Sequence, residues 1–381
     1  MKQRNQQAYL NSEVNLQTNE RKKPNTPFTQ YGDLFYQNPS NFMEITKPSE
    51  QFETQLWLKS NQQIKNNSSS NLIHNLVTQT QLIQTTINIF HEKYDILKIL
   101  KENQQCQIVQ CRNIITQEYV VAKICILHNF KFGVDSEIKV CQTLQYYPHS
   151  KLMKLLEMFT DKDTHIFIYE YMEGGTLFEY MQHKQLKLDE SEIRIIFKQL
   201  LKALNHLDSL NIIHRDLKLD NIMFKVRGDI KSLKLIDYGF STLLSDVQGL
   251  ESRCGTPGYV APEIYEKSHA YNQLCDIYSL GAIIHILATG KRIYSSKFTS
   301  KEICELNKQN KYQISINKKC TLLYDIITQM LQNVSNRPSA QKCLFHPYFI
   351  KLSELNNSEQ INQQIYKLQF PQFKNPFQSF Q

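Results

Sequence analysis

Hydrophobic and polar residues follow three different patterns along the chain. Residues 1–93 are rich in Gln, Asn and Ser and have few regular apolar periods. Residues 94–349 alternate strand-like and helix-like segments that are separated by clear turn signals. Residues 350–381 return to Gln and Asn and end in spaced phenylalanines. The pattern therefore predicts one folded region, 94–349, between a largely flexible extension and a short polar tail.

Short strand-like runs dominate the first part of the folded region. Five of them follow one another: YDILKIL (94–100), CQIVQC (106–111), EYVVAKICIL (118–127), KLLEMF (154–159) and HIFIYEY (165–171). One helical segment, SEIKVCQTLQYY (136–147), separates the third run from the fourth. This order predicts a small lobe, 94–170, with a five-stranded antiparallel sheet and one helix.

Helical patterns dominate residues 176–349. The clearest is SEIRIIFKQLLKALNHLDSL (191–210), which has apolar residues three and four positions apart and an acidic start that suits a helix N-terminus. The double glycine in EYMEGGTL (170–177) indicates a hinge before this region. We therefore predict an α+β fold with two lobes, in which the larger lobe is mostly helical.

Composition excludes several other classes of protein. The longest apolar stretch, LGAIIHILATG (280–290), is shorter than the ~20 residues that a membrane span needs. The chain begins without an apolar signal core, so we expect a cytoplasmic protein, with the nucleus as the alternative. Nine cysteines without a CxxC pair indicate neither a zinc ribbon nor a disulfide framework. The net charge of +8 is spread along the chain, which favours a solvated surface over a nucleic-acid groove.

Two segments carry the candidate chemistry. HRDLKLDN (214–221) and DYG (237–239) resemble the catalytic loop and the metal-binding motif of eukaryotic protein kinases. By this resemblance Asp216 would accept or orient the proton of the substrate hydroxyl, and Lys218 would lie near the transferred phosphoryl group. Asn221 and Asp237 would hold magnesium, since phosphoryl transfer depends on oxygen-ligated cations and on positive charge placed against the phosphates.

The resemblance also implies an ATP site beneath the small sheet. Lys123 in VVAKI would grip the phosphates and pair with Glu137, which follows only 14 residues later (137 − 123), so the intervening loop is expected to be short. Tyr238 replaces the usual Phe of the DFG motif, and its hydroxyl needs a partner inside the fold. The other residues that the resemblance assigns to the ATP site are Lys101, Asn103, Cys106, Ile108, Val121, Tyr169, Glu170, Met172 and Met223. ATP and Mg²⁺ are the cofactors that follow.

Later motifs extend the resemblance over roughly two-thirds of the chain. In CGTPGYVAPEIY (254–265), Glu263 is expected to pair with Arg337, and Asp276 in DIYSLG is expected to brace the backbone of the catalytic loop. The segment CGTPGYVAPEIY is typical of kinases that act on proteins and not on small molecules. Lys218 and Thr256 follow the pattern of serine/threonine kinases, of the calcium/calmodulin-dependent or cyclic-nucleotide-dependent type. A monomeric, non-specific serine/threonine protein kinase is the implied enzyme, and a protein with a Ser or Thr acceptor is the implied partner.

Regulation and specificity leave alternatives open. Arg215, directly before Asp216, is typical of kinases whose activation segment is ordered by a phosphate, and Ser252 is the best-placed acceptor for an upstream kinase. Alternatively, Glu251 supplies the negative charge, or Ser252 is an ordinary solvated residue. Asp220 and Glu173 favour basic residues upstream of the target, whereas Thr176 stands where basophilic relatives often have a glutamate.

Two FxxF patterns close the polar tail. They consist of Phe370 with Phe373 and of Phe377 with Phe380. A similar aromatic pair docks on the small lobe in kinases of the cyclic-nucleotide-dependent type. The alternative is a polar tail with stray aromatic residues.

One feature departs from the family pattern. The glycine-rich loop that normally covers the ATP phosphates is missing, because Lys101, Asn103 and Cys106 stand at its three glycine positions. A non-glycine residue forced into a glycine conformation costs about 1 to 3 kcal/mol, whereas ~1.4 kcal/mol corresponds to tenfold in affinity. An active kinase is therefore favoured, since the charged catalytic positions are all retained. The alternative is a pseudokinase that serves as a scaffold or allosteric partner.

Overall fold

A twisted antiparallel sheet forms the first lobe in the computed structural model, which describes residues 86–102, 106–126, 134–161, 164–265, 271–295, 297–316 and 321–349. Its strands are β1 (Tyr94–Glu102), β2 (Cys106–Asn113), β3 (Tyr119–Ile126), β4 (Leu155–Thr160) and β5 (Thr164–Glu170). They pair in the order β1-β2-β3-β5-β4. The five predicted strands are therefore all present.

A short helix, α1, covers the outer face of this sheet at residues 86–93. Its Phe90 is 1% exposed and stacks on Tyr94 at the start of β1, with ring centroids 5.7 Å apart. The alternation of β3 brings Ala122 and Ile124 into the same apolar cluster. The sequence pattern assigned residues 86–93 to the flexible extension, but Ile87 and Phe90 lie one helical turn apart and are both buried.

The inner face of the sheet meets the helix that the pattern predicted. Helix α2 (Val134–Tyr146) buries Val140, Cys141 and Leu144 against the inner face. On β3 this face carries Lys123 and Cys125, one strand period apart. The sheet therefore presents a lysine toward the helix that carries Glu137.

Helices build most of the second lobe. They are α3 (Leu177–His183), α4 (Glu190–Ser209), α5 (Val247–Glu251), α6 (Leu274–Thr289), α7 (Ser300–Lys308), α8 (Thr321–Met330) and α9 (Ala340–Leu344). Helix α4 begins with a capping box, in which Asp189 and Glu192 each accept a backbone N–H of the other. Helix α6 is buried along nearly its whole length and ends at Gly290, whose φ of 66° is the left-handed conformation of a C-cap.

Two small strand pairs hold the loops that face the sheet lobe. Strand β6 (Ile212–Ile213) pairs with β9 (Thr242–Leu243), and β7 (Ile222–Phe224) pairs with β8 (Leu233–Leu235). Residues 214–221 are thus suspended between β6 and β7, and residues 236–241 between β8 and β9.

The double glycine at the lobe junction serves close packing. A Cβ on Gly174 would lie 2.6 Å from Phe224 Cβ, and Gly175 has a φ of +80°. Neither position accepts a larger residue without a shift of the backbone. The junction is thus tied to β7.

None of the helices in the described part of the chain has the length and apolarity that a bilayer crossing requires. Residues 1–85 of the predicted flexible extension (1–93) and the FxxF patterns of the tail lie outside the described residues.

Candidate active site

A buried carboxylate holds the loop between β6 and β7. Asp276 of α6 accepts the backbone N–H of His214 at 2.7 Å and that of Arg215 at 2.9 Å. Burial raises the pKa of Asp276, against the opposite effect of these hydrogen bonds. Arg215 adopts a φ of 69°, an uncommon conformation for a residue with a side chain. The brace that the sequence predicted for Asp276 thus fixes a strained turn directly before Asp216.

Asp216 is the centre of a hydrogen-bond cluster. Lys218 Nζ lies 2.6 Å from its Oδ2, and Asn221 Nδ2 donates to the same oxygen at 2.9 Å. Thr256, from the segment before α6, donates its hydroxyl to Oδ1 at 2.6 Å. The structure therefore brings together the three predicted catalytic-loop residues and adds Thr256, while Asp216 is only 3% exposed.

A second charged cluster lies under the sheet. Lys123 Nζ lies 2.6 and 2.9 Å from the two carboxylate oxygens of Glu137 and 3.6 Å from Asp237 Oδ1. Burial opposes ionisation of Asp237, but the positive charge of Lys123 and the N–H of Gly239 outweigh it and lower the pKa to about 2. The Asp237 side chain is still 40% exposed. An ionised, accessible carboxylate beside a buried lysine could serve as a ligand for a divalent cation.

The candidate metal ligands fit magnesium. The amide Nδ2 of Asn221 donates to both the backbone oxygen and the carboxylate of Asp216, so its Oδ1 is left to face a cation. Within the described residues no group of three or more His, Cys, Asp and Glu side chains could hold a metal ion. Magnesium characteristically takes one or two protein oxygens and completes its shell with phosphate and water. Asn221 and Asp237 therefore match a metal that arrives with a nucleotide.

Four of the predicted ATP-site residues lie near the lobe junction. Val121 on β3 stands opposite Tyr169 on β5, and Met172 and Met223 are 3% and 7% exposed. The Tyr169 hydroxyl lies 3.2 Å from Cys141 Sγ on α2, so its ring reaches toward the helix behind the junction. The ring of Tyr169 thus lies between β5 and α2.

The side chain of Glu170 forms ion pairs with two lysines and does not face the other predicted ATP-site residues at the junction. Its carboxylate accepts from Lys225 and Lys234, both at 2.5 Å, and from the backbone N–H of Lys154 at 2.8 Å. Glu170 can therefore meet a nucleotide only through its backbone. The two lysines were missed by motif matching because neither belongs to a family pattern.

Strands β1 and β2 of the glycine-free hairpin pair antiparallel where the structure describes them, with register shifts between Ile96 and Lys98 and between Ile99 and Lys101. Lys101 pairs with Ile108, which in turn stands opposite Lys123 on β3. Asn103 lies outside the described residues. Lys101 and Cys106 are not among the positive-φ residues, so neither is strained into a glycine conformation. Cys106 lies directly opposite Cys125, whose hydrogen bond lowers the pKa of the Cys106 thiol to about 7.

The DYG tyrosine finds the partner that its hydroxyl requires. Tyr238 donates to the backbone oxygen of Met153 at 3.1 Å, and its ring meets His214 edge to face at a centroid distance of 6.0 Å. Both rings are buried. The loop carrying Asp237 is thereby linked to the segment before β4.

The predicted structural pair forms deep in the second lobe. Arg337 Nη1 and Nη2 lie 2.5 and 3.0 Å from the carboxylate oxygens of Glu263. Ser252 contributes its backbone oxygen, 3.3 Å from Arg215 Nη1. Sequence reasoning missed Ser136, Asp246 and Gly249, whose hydrogen bonds connect α2 with Arg215. A signal for Asp246 exists in SDVQG (245–249), where an aspartate precedes a short helix.

Comparison with known proteins decides the family. The family model described as "Protein kinase domain" matches residues 94–349. The chain belongs to this family. The predicted bilobal α+β kinase fold and the serine/threonine-kinase resemblance are thereby confirmed.

The chain is similar to several serine/threonine kinases. "Probable serine/threonine-protein kinase 2" of Plasmodium falciparum is 32% identical over 239 residues, which cover 61% of this chain and 45% of that protein. "Phosphorylase b kinase gamma catalytic chain, liver/testis isoform" of Rattus norvegicus is 28% identical over 281 residues, 68% of this chain and 67% of that protein. "Calcium-dependent protein kinase 4" of P. falciparum is 27% identical over 282 residues, 72% of this chain and 53% of that protein. The chain spans about half the length of the first relatives that it matches.

Proposed function

We propose that this chain is an active serine/threonine protein kinase that transfers the γ-phosphoryl group of ATP to a hydroxyl of a protein substrate. The observation that carries the proposal is the cluster of charged side chains under the sheet. Lys123 Nζ lies 2.6 Å from a carboxylate oxygen of Glu137 and 3.6 Å from Asp237 Oδ1. This arrangement places the helix that bears Glu137 against the sheet and leaves Asp237 accessible. Positioned charge is most of what phosphoryl transfer requires of a protein.

Each residue has a role that follows from its surroundings. Asp216 holds a carboxylate between two donors, Lys218 and Thr256, and so can orient an incoming hydroxyl and receive its proton. Lys218 is close enough to compensate negative charge on the transferred group. Asn221 and Asp237 would hold magnesium, which would supply positive charge against the phosphates. Lys123, held by Glu137, would bind the phosphates of ATP from the sheet.

The pseudokinase alternative rests on the missing glycines. Lys101 and Cys106 keep ordinary strand conformations, so the hairpin carries no strain at these positions. At Lys101 and Cys106 the expected disadvantage is that side chains limit the approach of backbone N–H groups to the phosphates. Weaker ATP binding is the expected consequence, with the chemistry intact.

A binding assay combined with a transfer assay tests the proposal. Purified protein is mixed with Mg²⁺ and ATP, and binding is measured by calorimetry while transfer to a generic basic protein is measured with labelled ATP. Asp237→Asn serves as the control that removes the metal ligand. Transfer that disappears in this variant supports the kinase; tight Mg·ATP binding without transfer favours the scaffold, and absence of binding excludes both nucleotide roles.

The proposal extends to the setting of the enzyme. We infer a monomer that acts on proteins, in the cytoplasm or nucleus, and that is open to an upstream kinase at Ser252. Substrate identity and pathway are separate questions.

A further inference from the structure

A continuous series of hydrogen bonds connects the catalytic loop with the helix that carries Glu137. It passes through the short helix α5 (Val247–Glu251), which lies between β9 and the sequence CGTPGY (254–259). The residues that join the two ends are Asp246 and Gly249. None of the family motifs identified in the sequence includes them.

Asp246 uses both carboxylate oxygens. Its Oδ1 accepts the backbone N–H of Gly249 at 3.0 Å and so begins α5. Its Oδ2 accepts the hydroxyl of Ser136 at 2.5 Å, although the two residues are 110 positions apart. Thr242 Oγ1 lies 3.5 Å from the same oxygen. One carboxylate therefore ties the activation segment to α2.

The hydrogen bond between Ser136 and Asp246 matters because Ser136 directly precedes Glu137 on α2. Ser136 lies in the first turn of α2, is 7% exposed and directly precedes Glu137. A helix held at this point keeps Glu137 within 2.6 Å of Lys123. The Ser136 hydrogen bond is also the largest cause of the lowered pKa of Asp246, so the acceptor is a carboxylate ion at neutral pH.

The other end of the series is Arg215. Its Nη1 donates to the backbone oxygens of Gly249 and Ser252, at 2.5 and 3.3 Å, and to the Tyr271 hydroxyl at 2.7 Å. Its Nε donates to the backbone oxygen of Phe240 at 2.5 Å. These acceptors are all neutral. Three of these four acceptors belong to residues 240–252, so the guanidinium directly before Asp216 contacts this segment without a phosphate on it.

Gly249 is the joint between the two halves. A Cβ at this position would lie 2.3 Å from Thr242 Oγ1 and 2.9 Å from Asp246 Oδ2. The absence of a side chain therefore permits its N–H to reach Asp246 while its carbonyl meets Arg215.

We propose that Asp246 is a positioning residue, which joins Ser136 of α2 to Arg215 through Gly249 and keeps both halves of the active site in register without a phosphate on the activation segment. The kinetic part of this inference rests on the proposed kinase function. The structural part, that Asp246 holds α2, does not.

Variants of the full chain test the link. Asp246→Asn keeps the shape and can still cap α5 but removes the charge, and Ser136→Ala removes the donor. Asp189→Asn is the matched control, because Asp189 caps α4 in the same way, far from the charged residues of the site. Ser136→Thr keeps the hydroxyl and should rescue the loss caused by Ser136→Ala.

Three readouts separate positioning from general damage. After phosphatase treatment the wild type should keep its kcat, whereas Asp246→Asn should lower kcat/KM for ATP by about tenfold, the usual effect of a hydrogen bond to a charged group. Hydrogen exchange of residues 134–146 should speed up in Asp246→Asn and Ser136→Ala but not in Asp189→Asn. The double variant Ser136→Ala/Asp246→Asn should lose no more than the larger single variant, as expected for one shared contact.

The outcomes distinguish this inference from the proposed function. Loss of wild-type activity on dephosphorylation, or exchange in Asp246→Asn equal to that in Asp189→Asn, would overturn it. If the wild type transfers no phosphate at all, the proposed function fails, but the exchange comparison still decides whether Asp246 holds α2.

Discussion

The buried pair of Glu263 and Arg337 allows a quantitative prediction about stability. The Arg337 side chain is 0% exposed and that of Glu263 is 8% exposed. Arg337 also donates to the backbone oxygens of Leu274 and Gln332, at 2.8 and 3.0 Å. We predict that Glu263→Gln, which is nearly isosteric, severely destabilises the helical lobe because it leaves the guanidinium buried without a counter-charge.

The magnitude follows from burial. Removal of one partner from a buried ion pair costs about 3 to 5 kcal/mol, whereas an exposed pair contributes about 0 to 1 kcal/mol. The remaining two carbonyl acceptors and the amide oxygen of the introduced glutamine reduce the loss, so about 3 kcal/mol is expected. A domain of this size loses roughly 2 to 4 °C in Tm per kcal/mol. The expected decrease in Tm is therefore roughly 10 °C.

Thermal and urea unfolding, followed by circular dichroism, measure the effect. Glu305→Gln is the matched control, because it removes the same charge from the exposed pair of Glu305 with Lys308, whose side chains are 55% and 43% exposed. The control should change the free energy of unfolding by less than 1 kcal/mol, roughly the ceiling for a surface pair. A loss in Glu263→Gln that equals the control would refute the reasoning from burial.

Three further predictions concern the sheet lobe and its surroundings. Alkylation of the Cys106 thiol, followed by mass spectrometry, should reach half its maximal rate near pH 7, because hydrogen bonding lowers the pKa of this thiol to about 7. Bound Mg·ATP should slow the alkylation. An alkylation rate that rises only above pH ~8.5, the ordinary thiol range, would contradict the lowered pKa. Phe90→Ala should lower the free energy of unfolding by about 3 kcal/mol or more, whereas Ile89→Ala, at a 41% exposed position, should leave it nearly unchanged; equal effects would show that α1 does not pack on the sheet. Burial lowers the pKa of His149 to about 4, so the unfolded chain binds the proton first and the wild type should lose stability as the pH falls from about 6.5 to 4. His149→Gln should flatten this part of the stability profile, and an unchanged profile would count against the assigned pKa.

The sequence predicted the contacts that belong to a local motif. HRDLKLDN places Asp216, Lys218 and Asn221 within six positions, so a short loop between β6 and β7 suffices to bring them together. The pairing of Lys123 with Glu137 was equally accessible, because a strand and the following helix can meet in only a few ways.

Other features depend on information that a linear pattern does not contain. Phe90 follows a Gln- and Asn-rich stretch, and two apolar residues one turn apart are a weak signal until the sheet supplies a surface for them. The contact between Ser136 and Asp246 joins positions 110 apart, and both residue types are common in turns and caps. The side chain of Glu170 is held by Lys225, directly after β7, and by Lys234 on β8, which the hinge sequence does not reveal.

The central claim is that the assembled charges perform phosphoryl transfer despite the glycine-free hairpin. The most direct measurement is magnesium-dependent transfer of labelled phosphate from ATP to protein serine or threonine, with the wild type and Asp216→Asn side by side. Asp216 is assigned to the substrate hydroxyl and not to the nucleotide, and asparagine can keep a hydrogen bond to Lys218. The variant should therefore bind Mg·ATP about as well as the wild type and lose nearly all transfer. Binding by both proteins without transfer by either would contradict the account and favour a scaffold that has kept the kinase fold.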